Sequence, residues 1–262
     1  VSKVALITGG AQGIGRACAQ KLLESDFSSV VLLDRNADVL AEAAKSLAKF
    51  GKAEAFAADL RDEATPAKAV AFTIEKFGRV DVLINAAGST ARGGISDTSH
   101  ETLNTLLDVN VKAPFFLMQE ATRHMVSQGQ GTIINVASMI AYGGPPNLGA
   151  YSASKAALVS LTKHAAQEFA WKGVRSFCIN LGWALTEGEQ AMQTKFHGLP
   201  ENWYEDIGRR MPSGRLILPS DIADLCAYLV SPSAQMMNGA VIDFEQIPVG
   251  MFREHPVLKT GN

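Results

Sequence analysis

The sequence predicts an α/β fold: a doubly wound parallel sheet of seven strands with helices on both faces, in one domain over residues 1–262. Three observations predict it. Short unbroken apolar runs alternate with longer stretches of helical period, as when crossover helices bury strands on both faces. Of the 262 residues, 47% are hydrophobic and 19% charged, enough apolar mass for one sizeable core. No internal repeat, low-complexity tract or linker divides the chain.

The first strand is expected at 4–7, followed by a glycine turn and a helix over about 13–24. The second strand is 30–33, and 38–50 has helical period. A third strand at 53–58 precedes a helix at 65–77, whose start carries Pro66, a residue suited to a first helical turn. The fourth strand is 80–84. A long helix over 101–127, a strand at 132–137, a helix over 150–171 and a strand at 174–180 follow. After an irregular stretch come a helix at 220–230 and a last strand at 240–244.

Net charge is −2 with no long run of one sign, which argues against nucleic acid or an anionic membrane as partner. Three cysteines, Cys18, Cys178 and Cys226, are odd in number and lack metal-ligand spacing. No metal site is expected, and with no secretory segment or long apolar span visible, a reduced, cytoplasmic setting is expected.

Tyr151 and Lys155 are four apart on a predicted helix and therefore share a face, while Ser138 ends an apolar run upstream. A phenol titrates near pH ~10, and a neighbouring ammonium favours the phenolate. With a serine to hold a substrate oxygen, these groups suit proton transfer to or from an alcohol or ketone. The turn from Thr8 to Gly15 follows a strand and opens a helix, so its amides and helix N-terminus can receive a pyrophosphate. Asp34 stands nineteen residues past Gly15 at the end of the second strand. A carboxylate there can accept from an adenosine ribose and would repel a 2′-phosphate, which favours NAD, although Arg35 beside it softens that exclusion. Asp59 can bond the adenine amino group or cap the segment after it.

The combination resembles the short-chain dehydrogenase/reductase family, in its Rossmann-type single-domain form, over Lys3 to Asp243. The resemblance implies Asn110, Ser138, Tyr151 and Lys155 as a catalytic tetrad. It implies cofactor contacts at Gly9, Gln12, Gly13, Ile14, Gly15, Asp34, Arg35, Asp59, Leu60, Asn85, Ala86, Gly88, Tyr151, Lys155, Gly182 and Thr186. Asn85-Ala-Ala-Gly88 is similar to the family's Asn-Asn-Ala-Gly motif, with alanine in second place. The implied reaction is reversible hydride transfer, with Tyr151 as acid or base, Lys155 lowering its pKa, Ser138 polarising the substrate oxygen and Asn110 holding a relay water. Pro114, four residues after Asn110, has no amide for that residue's carbonyl, which frees the carbonyl for water or merely kinks the helix.

Two departures stand out. Leu181-Gly182-Trp183 replaces the family's usual Pro-Gly, and Asp243-Phe-Glu-Gln246 replaces a glycine-rich ending. Residues 183–215 are expected to form a lid, and 245–262 a tail in which Phe252 and His255 cover a neighbour or the chain's own sheet. Ser138, Asn147, Tyr151, Trp183 and Glu187 are the expected substrate contacts, and the lid's polarity points to a polyol or sugar. Arg92 leaves room for a sugar acid. A 3-oxoacyl reductase and a cofactor-binding redox regulator without catalysis are the rivals. The family's habit of pairing its two long helices implies a homo-oligomer, dimer or tetramer.

Overall fold

The computed structural model describes residues 3–248, apart from the side chain of Phe196. Seven strands form one parallel sheet: β1 (Lys3–Thr8), β2 (Phe27–Asp34), β3 (Lys52–Ala57), β4 (Val82–Asn85), β5 (Gly131–Val136), β6 (Val174–Leu181) and β7 (Val241–Phe244). Their order is β3-β2-β1-β4-β5-β6-β7. Helices α1 (Gly13–Leu23) and α2 (Ala37–Leu47) follow β1 and β2, and α3 (Thr65–Phe77) follows β3. Between β4 and β5 lie α4 (His100–Leu107) and α5 (Ala113–Gln128); α6 (Gly149–Phe169) precedes β6. Two short helices, α7 (Glu187–Ala191) and α8 (Trp203–Gly208), occupy the expected lid, and α9 (Pro219–Val230) leads to β7.

Alternation along the strands divides the core into two layers. Ala5, Ile7, Val30, Leu32 and Ile134 pack with Leu22, Leu40, Leu47, Ile222 and Leu229 from α1, α2 and α9. The intervening Leu6, Val31, Leu33 and Ile133 pack with Val70, Leu117, Met125 and Ala165 from α3, α5 and α6. Leu22, Leu32, Leu40 and Leu47 are all but fully buried, each contributing roughly 1.5–3 kcal/mol against exposure.

The predicted helix over 101–127 is three pieces. Between α4 and α5 runs a π-helical turn, Asp108–Lys112, in which Ala113 N bonds back to Asp108 O. Pro114 cannot donate to the Asn110 carbonyl, so the ladder shifts its register here and brings Asn110 to the inside, fully buried. The helix over 150–171 ends two residues earlier than expected, because its last turn tightens to 3-10 geometry at Ala170–Lys172. The tail positions Phe252 and His255 lie outside the described residues.

Strand order reverses at β1, which pairs with β2 on one side and β4 on the other. Chains leaving β1 and β4 diverge there, opening a crevice beyond the carboxyl ends of the strands.

Candidate active site

The turn after β1 is a cradle that only glycines allow. Gly9 has φ +68° and lies against the backbone of Ala86 and Ala87; a Cβ on Gly15 would overlap the Gly9 carbonyl oxygen. Thr8 Oγ1 accepts from Ala86 N and Ala87 N at 3.1 and 3.0 Å, tying the segment after β4 to this turn. Asp34 closes the far side, its carboxylate taking Ala11 N at 3.4 Å and Asn36 N at 3.2 Å. Beyond it, Arg35, Asn36, Ala37, Ala57, Ala58 and Asp59 line an open groove of about 720 Å³. Asp59 is engaged by its own segment: it accepts Arg61 N at 2.9 Å and pairs with the Arg61 guanidinium at 2.6 Å, which holds its carboxyl below the usual range. That is the capping alternative for Asp59, which also lines the groove. Leu60 turns its side chain to the core beside α3.

On the other side of the crevice, Asn110, Ser138, Tyr151 and Lys155 converge. Ser138 ends the segment after β5; its Oγ accepts from Ile140 N at 3.2 Å and is close enough to the Tyr151 phenol to favour its ionised form. Lys155 Nζ donates to Val136 O at 2.9 Å and lies 5.8 Å from the Tyr151 ring centroid. Asn110 is clamped from both ends: Oδ1 accepts Ser89 N at 2.8 Å, while Nδ2 donates to Ser89 O at 2.9 Å and Ser154 Oγ at 3.0 Å. A Cβ on Gly88 would sit 3.4 Å from Lys155 Nζ and 3.5 Å from Asn110 Oδ1, so this glycine marks where the two approach. Beneath, Asn85 Nδ2 bonds Asn135 Oδ1 at 2.8 Å and Asn135 Nδ2 bonds Thr162 Oγ1 at 2.9 Å, joining β4, β5 and α6 through buried amides. These bonds fix the amides in place, although Asn85 Oδ1 is buried without a hydrogen-bond partner among the described residues.

The electrostatics correct one expectation. Burial pushes the Tyr151 phenol above its ordinary 10, opposed by the Ser138 hydrogen bond and reinforced by the Glu189 carboxylate. Lys155, wholly buried, is itself pushed down to about 8 by desolvation. Loss of water outweighs the attraction expected between ammonium and phenolate.

Within residues 183–215, α7 places two carboxylates. Thr186 caps α7, accepting Glu189 N at 3.1 Å, and this orientation sends Glu187 to the glycine turn: Gly13 N donates to its Oε2 at 2.9 Å. An anion is favoured at the start of α1, where amides lack partners. Trp183 is 37% exposed, stacks on Trp203 at 5.5 Å and donates to Glu189 Oε1 at 2.8 Å. Gly182 does not face open space: a Cβ there would overlap the Glu245 carboxylate, and Gly182 N donates to Phe244 O at 2.9 Å. Asn147 is exposed and contributes its carbonyl to Gly93 N at 2.9 Å. Sequence reasoning missed the roles of Thr8 and Asn135, set by strand pairing, and of Ser154, set by packing of α6 on the Asn110 turn; it weighed Glu189 only beside Glu187, as a carboxylate suited to a polyol or sugar. Among the described residues no helix is long and apolar enough to cross a membrane, and no group of three or more His, Cys, Asp or Glu could hold a metal ion.

Comparison with known proteins agrees with this architecture. The short chain dehydrogenase family model matches residues 3–196. The chain is 36% identical over 250 residues to L-2,3-butanediol dehydrogenase of Corynebacterium glutamicum, covering 92% of this chain and 96% of that one. Among solved structures, NAD+-bound xylitol dehydrogenase superposes with a TM-score of 0.84 at 28% identity, covering 94% and 98% of the two chains. An actinorhodin polyketide ketoreductase with NADPH gives 0.87 at 28% identity over 94% and 96%. The protein belongs to the short-chain dehydrogenase/reductase family, oxidoreductases that act on alcohol or ketone groups of small molecules with a nicotinamide cofactor. The glycine cradle fits that cofactor: without side chains at Gly9 and Gly15 the turn packs directly on backbone, and it opens α1, whose N-terminal amides suit a pyrophosphate.

Proposed function

We propose that the chain is one catalytic domain of an NAD-dependent dehydrogenase. It acts reversibly on a secondary alcohol or ketone, with a polyol or sugar as substrate and residues 183–215 as lid. The observation that carries this reading is the convergence of Ser138, Tyr151, Lys155 and Asn110 beside the glycine cradle. Bound nicotinamide supplies the hydride acceptor, or the donor in the reductive direction. Ser138 Oγ and Tyr151 Oη hold the substrate oxygen between them. Tyr151 delivers its proton to that oxygen during reduction and takes it back during oxidation. Its raised pKa makes the protonated phenol the resident form at neutral pH in the cofactor-free protein, which suits reduction. Lys155 and Asn110 position the phenol and lead its proton toward solvent.

The choice of NAD is supported by Asp34, whose carboxylate stands between the glycine turn and the groove at the ends of β2 and β3. The polyol or sugar reading is supported by the Glu189 carboxylate in the lid wall and by similarity to proteins named for xylitol and 2,3-butanediol. A homo-oligomer is supported by an apolar groove of about 490 Å³ between α5 and α6, rimmed by Phe115, Val126, Leu161 and Phe169. A cytoplasmic setting is supported by three buried, unpaired cysteines. Absorbance of reduced nicotinamide, followed while polyols, sugars, sugar acids and apolar secondary alcohols are offered with NAD or NADP, tests the reading. Turnover of polyhydroxylated compounds with NAD is expected. Turnover of apolar alcohols alone, or with NADP alone, overturns the substrate or the cofactor assignment. Full activity in Tyr151→Phe overturns the role of the phenol.

A further inference from the structure

Glu189 lies on α7, the helix that covers the glycine turn, and its carboxylate is held from two sides. Its Oε1 accepts two hydrogen bonds, from Trp183 Nε1 at 2.8 Å and Gln193 Nε2 at 2.7 Å. Trp183 directly follows Gly182 at the end of β6, beside the strand that leads to Ser138, and stacks on the buried Trp203. Trp203 is in turn held by Gln190 Oε1 at 2.8 Å. The carboxylate is therefore fixed in a half-buried wall at the carboxyl end of β6, on the helix that also reaches the glycine turn through Glu187, while its Oε2 has no hydrogen bond among the described residues.

We propose that Glu189 is a specificity-determining residue whose Oε2 accepts a second hydroxyl of the substrate, adjacent to the carbinol held by Ser138 and Tyr151. The pocket then takes vicinal diols and polyols, or α-hydroxy ketones in the reductive direction. The inference rests on the alcohol–ketone reading above. An ionised carboxylate only accepts hydrogen bonds, so the occupant facing Oε2 must bring a donor. A methyl group in that position displaces water and leaves the charge without a partner. A carboxylate in that position meets like charge. Substrates should thus rank as diol above simple alcohol above 2-hydroxy acid.

Three compounds that differ only in the neighbouring group decide the matter: 1,2-propanediol, 2-propanol and lactate, each oxidised with NAD and with NADP. The wild-type protein is expected to favour 1,2-propanediol over 2-propanol in kcat/KM by about 10- to 100-fold, the scale of a hydrogen bond to a charged group. Glu189→Gln and Glu189→Leu should each cut that ratio by about tenfold or more. Glu189→Gln should also raise lactate relative to 2-propanol, a reversal that loosened packing would not produce. If Glu189→Leu fails to fold, the near-isosteric Glu189→Gln decides alone. A wild-type ratio near one, or ratios unmoved by Glu189→Gln, overturns the inference and leaves the dehydrogenase reading standing. No turnover of any alcohol or ketone with either cofactor overturns the reading and this inference with it.

Discussion

Replacing Glu187 should tighten binding of the dinucleotide, because its carboxylate occupies an amide that the cofactor's phosphates need. Gly13 N donates to Glu187 Oε2 at 2.9 Å in the first turn of α1. A negative charge near an exposed helix N-terminus contributes about 0.3–1 kcal/mol. The hydrogen bond adds a similar amount once solvent screening at this exposed side chain is allowed for. A total of roughly 1 kcal/mol favours the state in which the cradle is taken, and the apparent Kd is weakened by the fraction of molecules in that state. Glu187→Gln and Glu187→Ala should therefore lower the Kd for NADH by about 5-fold. Titration of NADH fluorescence measures it directly, without turnover. If both variants bind NADH as wild type does, or more weakly, the carboxylate does not compete for the amide and the reasoning fails.

Lys155 gives a pH-dependent effect on stability. Its folded value of about 8 lies below the ordinary 10.5, so between those values the unfolded chain binds the extra proton. The burial cost is complete below pH 8 and fades as pH rises toward 10.5. Lys155→Met should stabilise the cofactor-free protein at pH 7 by something on the order of 1–3 kcal/mol, with the gain gone near pH 10.5; a gain that persists there in thermal melts would assign it to packing instead. Gly15→Ala should cost about 1–3 kcal/mol in urea unfolding, since the added methyl meets the Gly9 carbonyl, backbone that cannot rotate aside. Asp34→Ala should move the ratio of kcat/KM for NADP over NAD upward by about tenfold or more, the scale of removing one like charge; an unmoved ratio would remove Asp34 from cofactor choice.

The strands were legible because burial on both faces demands unbroken apolar runs, and residues such as Val30 to Leu33 have no other good use. Helix α3 was equally clear, with Pro66 at its start and Gly78 in left-handed geometry just past its end. The break at Asp108–Lys112 was half legible: Pro114 marked the lost hydrogen bond, but a single chain does not say whether the helix kinks, ends or shifts register. Register shift wins because Asn110 then reaches Ser89 and Ser154, partners 21 and 44 residues away. The sign of the Tyr151 shift was not legible. Residue spacing reveals the neighbouring charge, whereas desolvation depends on everything packed around the phenol. The partner of Glu187 was not legible for a related reason: polarity in a loop suggests contact with something polar, and the nearest such partner proved to be the chain's own glycine turn.

Glu187 and Glu189 also bear on each other. On one helix two positions apart they point about 200° around the axis from one another. So α7 presents one carboxylate to Gly13 and the other to Trp183. The helix is held at its start by the Thr186 cap and runs on into a π-helical turn at Met192–Phe196, so a shift at Glu187 is expected to carry to Glu189. Freeing the Gly13 amide for a phosphate therefore releases one of the contacts that fix Glu189 and the indole wall. Coupling of this kind is reciprocal: whatever affinity the substrate gains from a prior cofactor, the cofactor gains from substrate. In Glu187→Ala the release has already occurred, so diol affinity with and without bound NADH should differ less than in the wild-type protein. Equal differences in the two proteins, measured by titrating tryptophan fluorescence with 1,2-propanediol, would show that the two ends of α7 act independently.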